Sequence, residues 1–309
     1  MPFKDLPKLN PFLSCSVGWK MNSNGTIYIV HKSMEQDTGK FRKNEMDQYY
    51  TKKSVAEQCV QKIFDCCNTV DYQWVEPSAG NGVFLSCLPT NCDKVGIDID
   101  PKASEVIKGD FLTWLPTTSK KRIFFGNPPF GRQGSLAKAF IKHSAEFGNI
   151  IAFVLPRSFV KPSMSRAFPL LFHCIHSEEL GKNAFVVNDK SYDVPCVFQI
   201  WEKKEHMRIL PEPVKEEGFE YVKFGQPFDI AFKRAGGLAG KCYISTKGSA
   251  FNPQYHYYLK LKEEYEPQTQ KIVEFVNSHV FPNNTTGPRS LSKSEANEVL
   301  NAAIANTTP

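Results

Sequence analysis

The chain has 309 residues, 41% hydrophobic and 23% charged, which excludes a largely disordered protein and suits one large domain plus a smaller one. Its formal net charge of +6 is compatible with a polyanionic partner without requiring one. The longest apolar run, Ile150 to Leu155, falls far short of the roughly 20 residues that cross a bilayer, so no membrane association is expected.

No N-terminal stretch joins a basic start to an apolar core, and the nine irregularly spaced cysteines include no CxxC pair. Reduced thiols and a cytoplasmic or nuclear, unsecreted protein are expected.

Residues 1–45 are rich in Pro, Asn, Lys and Ser and read as an arm with one strand, Thr26 to Val30. From Thr51 the apolar Val55, Cys59, Val60, Ile63, Phe64 and Cys67 recur at three and four, predicting a helix over 52–67. Short apolar runs follow at Gln73–Glu76, Lys94–Asp98, Arg122–Asn127 and Asn149–Leu155, each closed by Gly, Pro, Asn or Asp. Leu136, Phe140, Ile141 and Phe147 suit a helix between the last two. Strands alternating with helices or loops predict an α/β parallel sheet, whose ligands bind at the carboxyl ends of strands. Mixed charge and prolines at 202–217 place a boundary there, giving a central domain of 46–205 and a C-terminal substrate-recognition or docking region of 206–309. Near the end, "SKSE" at 292–295 reads as a capping box opening a helix that carries Leu300.

Four short motifs carry chemistry. "VEPSAGNGVFL" (75–85) runs a strand into an acid and a Gly-rich turn that a ligand can approach closely, with a helix start beyond. It lacks the third glycine of a dinucleotide fingerprint, since Leu85 stands there, and it lacks the Lys-Ser/Thr of a P-loop. "GIDIDP" (96–101) ends the next strand with Asp98 and Asp100, and a carboxylate there can accept from both ribose hydroxyls. Asp100 better suits the plainer role of capping a following helix. "GDFL" (109–112) offers an acceptor for an adenine amino group and a ring to lie beside it, and "GNPPFG" (126–131) is a stiff, amide-bearing turn.

Together with "DQYYT" (47–51), these motifs resemble, in order and spacing, the S-adenosylmethionine-dependent amino methyltransferases of the adenine-N6 type. The resemblance covers roughly residues 46–201. It implies a class I, Rossmann-like fold: a mostly parallel seven-stranded sheet with one antiparallel strand. It also implies S-adenosyl-L-methionine as cofactor. Carried over, Glu76, Pro77, Ser78, Ala79, Gly80 and Gly82 hold the cofactor's methionine end, with Tyr50 and Thr51 closing over it. Asp98 binds the ribose, Ile99 lines the adenine slot, Asp110 and Phe111 hold the adenine, and Asn127 borders both cofactor and target.

An exocyclic amine is a poor nucleophile because its lone pair is delocalised, so acceptors must draw its hydrogens out of plane. Asn127 Oδ1 and the Pro128 carbonyl suit that role, and neither needs a titrating base. Pro128 and Pro129 fix φ and remove competing donors, while Phe130 offers a stacking face. Extruding a base from a duplex costs a few kcal/mol, so a second aromatic wall is expected. Phe185 is the candidate, against the competing reading of a core Phe on a strand, with Tyr192 as fallback. Pro156 would shape the target pocket, and Arg132, Lys138, Lys142, Arg157, Lys161 and Arg166 lie where they could reach phosphates.

Cys196 in "VPCVF" reads as core rather than a nucleophile. "HCIH" (173–176) lacks a fourth ligand nearby, so no metal is expected, and "KRAGGLAGKC" (233–242) fails the P-loop pattern. The expected activity is methylation of adenine N6 in nucleic acid, DNA before RNA, with a partner subunit or homodimer left open. A protein-glutamine methyltransferase and a non-catalytic nucleic-acid-binding subunit are the competitors.

Overall fold

The computed structural model describes residues 17–21, 27–31, 49–187, 190–246, 251–285 and 288–307, the first two stretches and Val187 as backbone only. The chain divides into two compact units, Met1–Lys43 and Asn44–Pro309. In the first, β1 (Val17–Met21) and β2 (Ile27–His31) pair antiparallel from Val17↔His31 to Met21↔Ile27. One strand is expected here; the second is "VGWKM", in which Val17, Trp19 and Met21 alternate with Gly18 and Lys20 over only five residues.

The second unit opens with β3 (Tyr50–Thr51) and α1 (Lys53–Cys66), which buries Ala56, Cys59, Val60 and Ile63 on one face. The central sheet is built from β4 (Gln73–Glu76), β5 (Lys94–Asp98), β6 (Val106–Lys108), β7 (Arg122–Gly126), β8 (Ile150–Pro156), β9 (Phe172–Glu179) and β12 (Cys196–Lys203). Their spatial order is β6-β5-β4-β7-β8-β12-β9. Strands β4 to β8 pair parallel, and β12 runs antiparallel to both β8 and β9. The expected seven-stranded sheet with one reversed strand is therefore present.

Alternation along the strands fills two layers. Phe125, Ile150, Ala152 and Val154 face α1, whereas Phe124, Ile151, Phe153 and Leu155 face α2 (Ser135–Phe147) through Ala137, Phe140, Ile141 and Ala145. Because both faces are covered, all seven residues of β8 are buried, which is why its sequence is continuously apolar rather than alternating.

Two expectations fail at the first crossovers. The Gly-rich turn leads into a short 3₁₀ turn, Leu85–Cys87, instead of a helix, and no helix follows Asp100. Pro89 stops the first of these segments, and only the seven residues 99–105 separate β5 from β6 in the second.

A small sheet of order β11-β10-β3 joins β10 (Phe185–Val187) and β11 (Lys190–Tyr192) to β3. Helix α3 (Pro162–Ser165) follows β8. Residues 204–218 carry no helix or strand, yet they are anchored: the Arg208 guanidinium donates to the carbonyls of Ser165, Phe168, Pro169 and Phe172 and lies over Trp201. Beyond them, β13 (Phe219–Val222), β14 (Ile230–Lys233), β15 (Cys242–Ile244) and β16 (His256–Leu261) form an antiparallel sheet of order β13-β16-β14-β15. It shares a core with α4 (Thr269–Ser278) and α5 (Lys293–Ala305). Ser292 and Glu295 close the capping box of α5, and Leu300 is buried. Among the described residues, no helix is long and apolar enough to cross a membrane.

Candidate active site

The strand order reverses at β4, with β5 on one side and β7 on the other, so the crevice between these carboxyl ends is where a ligand of such a sheet sits. Four of the sequence motifs end there. The chain has the class I methyltransferase fold.

Glu76, at the tip of β4, is 2% exposed and its Oε2 accepts from the Leu85 N–H at 3.2 Å. Burial pushes its carboxyl well above the usual range, the Leu85 N–H opposes this, and the charge of Asp98 adds to it. Gly80 and Gly82 adopt φ of +50° and +73°, which lets the backbone turn tightly past the strand ends. Asp98 Oδ2 accepts from the Gly80 N–H and its Oδ1 from the Asp100 N–H, both at 2.8 Å, so the β5 acid is locked onto the Gly-rich turn. A Cβ at Gly80 would lie 3.1 Å from the Tyr50 ring, which places Tyr50, Gly80 and Asp98 side by side.

On the β7 side, Gly126 has φ +117° and packs so closely on Glu76 that a Cβ would meet its Cγ at 3.0 Å. The Ser78 hydroxyl donates to the Asn127 carbonyl at 3.0 Å, tying the Gly-rich turn to the Asn-Pro-Pro turn. The Asn127 side-chain Nδ2 donates to the Tyr49 carbonyl at 3.0 Å. A carbonyl only accepts, so this contact fixes which way the amide points. Asn127 Oδ1 is left buried without a partner, as is Thr51 Oγ1. Buried orphan oxygens are uncommon, and a ligand's donors or an ordered water would satisfy them. The sequence reading missed Tyr49, since a backbone carbonyl leaves no mark on residue type.

Other predicted positions fall differently. Ile99 is 65% exposed, and Asp110 Oδ1 accepts from the Leu112 N–H as a local cap. Phe111 is 1% exposed with its ring packed among Trp114, Phe124, Phe140 and His143, so its face is turned to the core. Pro128 and Pro156 are buried, and Phe130 is 9% exposed, leaving little face for stacking.

Phe185 does not line the site's mouth: it is fully buried on β10, paired with Thr51 and packed on Tyr49, so the core reading replaces the stacking one. Lys161 is also committed, its ammonium donating to Ser290 O and to Glu295. Arg157 pairs with Glu179 at 3.0 Å, while Arg132, Lys138, Lys142 and Arg166 are exposed. Cys196 is fully buried and its thiol pushed up by burial, an inert core group. Among the described residues, no group of three or more candidate metal ligands is present.

No protein-family model matches the chain, and no curated protein does. Among solved structures, it is similar to a Pyrococcus horikoshii protein provisionally described as an RNA methyltransferase, at 16% identity over 52% of this chain and 91% of that one, TM-score 0.42. The EcoKI M protein, of a type I restriction enzyme, matches at 14% identity over 53% of this chain and 45% of its own, TM-score 0.38. A modification subunit of a provisionally assigned type I restriction enzyme from Vibrio vulnificus matches at 10% identity over 83% of this chain and 61% of that one, TM-score 0.39. Identities and TM-scores this low carry no inference about substrate. The fold follows from this chain's own sheet order.

Proposed function

We propose that the chain transfers a methyl group from S-adenosyl-L-methionine to the N6 amino group of adenine in nucleic acid, DNA before RNA. The observation that carries this reading is the Asn127 amide: its nitrogen is held by the Tyr49 carbonyl, and its oxygen is buried without a partner at the strand-order switch point. Such an oxygen is poised to accept from an N–H and can do so without changing its own protonation.

The residues present fit the cofactor. Glu76 and the orphan Thr51 Oγ1 supply acceptors for its ammonium group, the Gly80–Gly82 turn admits its backbone-like chain, and Asp98 stands where a ribose would reach. When bound, this group supplies an electrophilic methyl on a sulfonium sulfur. Asn127 Oδ1 and the Pro128 carbonyl would hold the two hydrogens of the target amine, turning its lone pair away from the ring. Pro129 keeps that turn rigid and Phe130 limits the space beside it.

Labelled S-adenosylmethionine should be offered with duplex DNA, single-stranded DNA and total RNA, and the labelled nucleoside identified after digestion. Label in N6-methyladenine is expected, and Asn127→Ala should lower turnover by about a hundredfold or more. Label in N4-methylcytosine or glutamine, or undiminished turnover by the variant, overturns the assignment.

A further inference from the structure

Beside the Asn-Pro-Pro turn lies the small sheet of β3, β10 and β11, in which the hairpin β10–β11 has no assigned role. Its contacts surround residues 49–52. Phe185 and Val186 of β10 pair antiparallel with Thr51 and Tyr50, and the Lys52 N–H donates to the Ala184 carbonyl at 3.0 Å. The Tyr49 ring packs edge-on against Phe185, with centroids 6.4 Å apart, and lies 5.8 Å from Tyr192 on β11. The same residue's carbonyl takes the Asn127 Nδ2 proton.

We infer that Phe185 and the Tyr49 ring are positioning residues: the hairpin fixes the Tyr49 backbone, and Tyr49 in turn fixes the direction of the Asn127 amide. Without that carbonyl nothing would distinguish the two ends of the amide, and a turned amide would present a donor where an acceptor is required. The late hairpin thus acts on the chemistry from behind, through the residues around β3, with Tyr49 standing 78 residues before the Asn127 that it holds. The inference rests on the proposed role of Asn127 but concerns a contact that can be read without turnover.

Two measurements test it. In protein labelled with ¹⁵N-asparagine, the Asn127 side-chain amide is identified by its loss in Asn127→Ala. Its exchange with solvent should be at least about tenfold faster in Tyr49→Leu and Phe185→Leu, both checked for folding by thermal melting. Unchanged exchange in folded Tyr49→Leu overturns the inference, even if the wild type proves to transfer no methyl group, an outcome that would fell only the functional proposal.

With the nucleic acid that the wild type methylates, kcat of Tyr49→Leu should fall about tenfold or more while KM stays within about threefold. The double variant Tyr49→Leu/Asn127→Ala should be no slower than Asn127→Ala alone, because one residue acts through the other. A raised KM with additive losses would instead assign the aromatic pair to the target base and overturn the positioning role.

Discussion

Glu76 is the carboxylate of the site whose acidity departs from its type. Buried at the tip of β4 with the Leu85 N–H on one oxygen, its carboxyl titrates well above the ordinary range, mainly through burial. The sign of the consequence follows from proton counting. Between the ordinary carboxylate value and the raised native one, the folded chain holds a proton that the unfolded chain has lost. Stability is therefore complete below the ordinary value and declines as pH rises towards the native one. Glu76→Gln keeps the size and removes the titration, so melting curves of the ligand-free protein from about pH 4.5 to 8 should decline less in the variant. Equal slopes would refute the assignment. If Glu76 meets the cofactor's ammonium group, the same variant should also lose the proton release that accompanies cofactor binding, read by calorimetry in two buffers of different ionisation enthalpy.

At the scale of elements, the strands that border the site were legible because burial on both faces writes itself as an apolar run with a polar stop. Gln73–Glu76 and Lys94–Asp98 coincide with β4 and β5, β7 ends one residue before its expected run, and β8 is shifted by one residue at both ends. Three-residue β6 was not legible: with one buried residue, Val106, it carries no periodicity. Phe185 shows the same limit in the site, since a buried ring and a stacking ring are the same letter, and only pairing with Thr51 separates them. The Gly126 turn combines element and site. Its φ of +117° strains any L side chain, and a Cβ 3.0 Å from Glu76 Cγ would make Glu76 shift. Gly126→Ala should lower the urea unfolding free energy by about 1–3 kcal/mol. Gly237, with open space around it and no positive φ, should accept Ala within about 0.5 kcal/mol. A neutral Gly126→Ala would show that the β7 turn relaxes freely.

At the scale of the whole second unit, a buried cation joins the turn leaving the central sheet to the helix that packs on the C-terminal one. Lys161, in the turn after β8, has a side chain 9% exposed and donates to Ser290 O at 2.6 Å and to Glu295 at 3.1 Å. Burial pushes the Glu295 carboxyl up, but the Ser292 N–H and hydroxyl together with Lys161 outweigh it and hold the group below its usual range. The carboxylate that caps α5 therefore also fastens the turn leaving the central sheet. Lys161→Met leaves Glu295 without its cation. Removing one partner of a fully buried pair costs about 3–5 kcal/mol. Glu295 keeps 22% side-chain exposure and its Ser292 contacts, so roughly 2–3 kcal/mol is expected in chemical denaturation near neutral pH. Because the native pKa of Glu295 is depressed, its contribution is present above the ordinary carboxylate value and is lost as pH falls through the native one. The deficit of the variant should accordingly shrink as pH falls through the depressed native value, below which both proteins carry a protonated Glu295. Lys161→Met combined with Glu295→Gln should recover part of the loss by removing the uncompensated charge. Equal stability of wild type and Lys161→Met would mean that this pair contributes nothing to holding the C-terminal sheet to the central one.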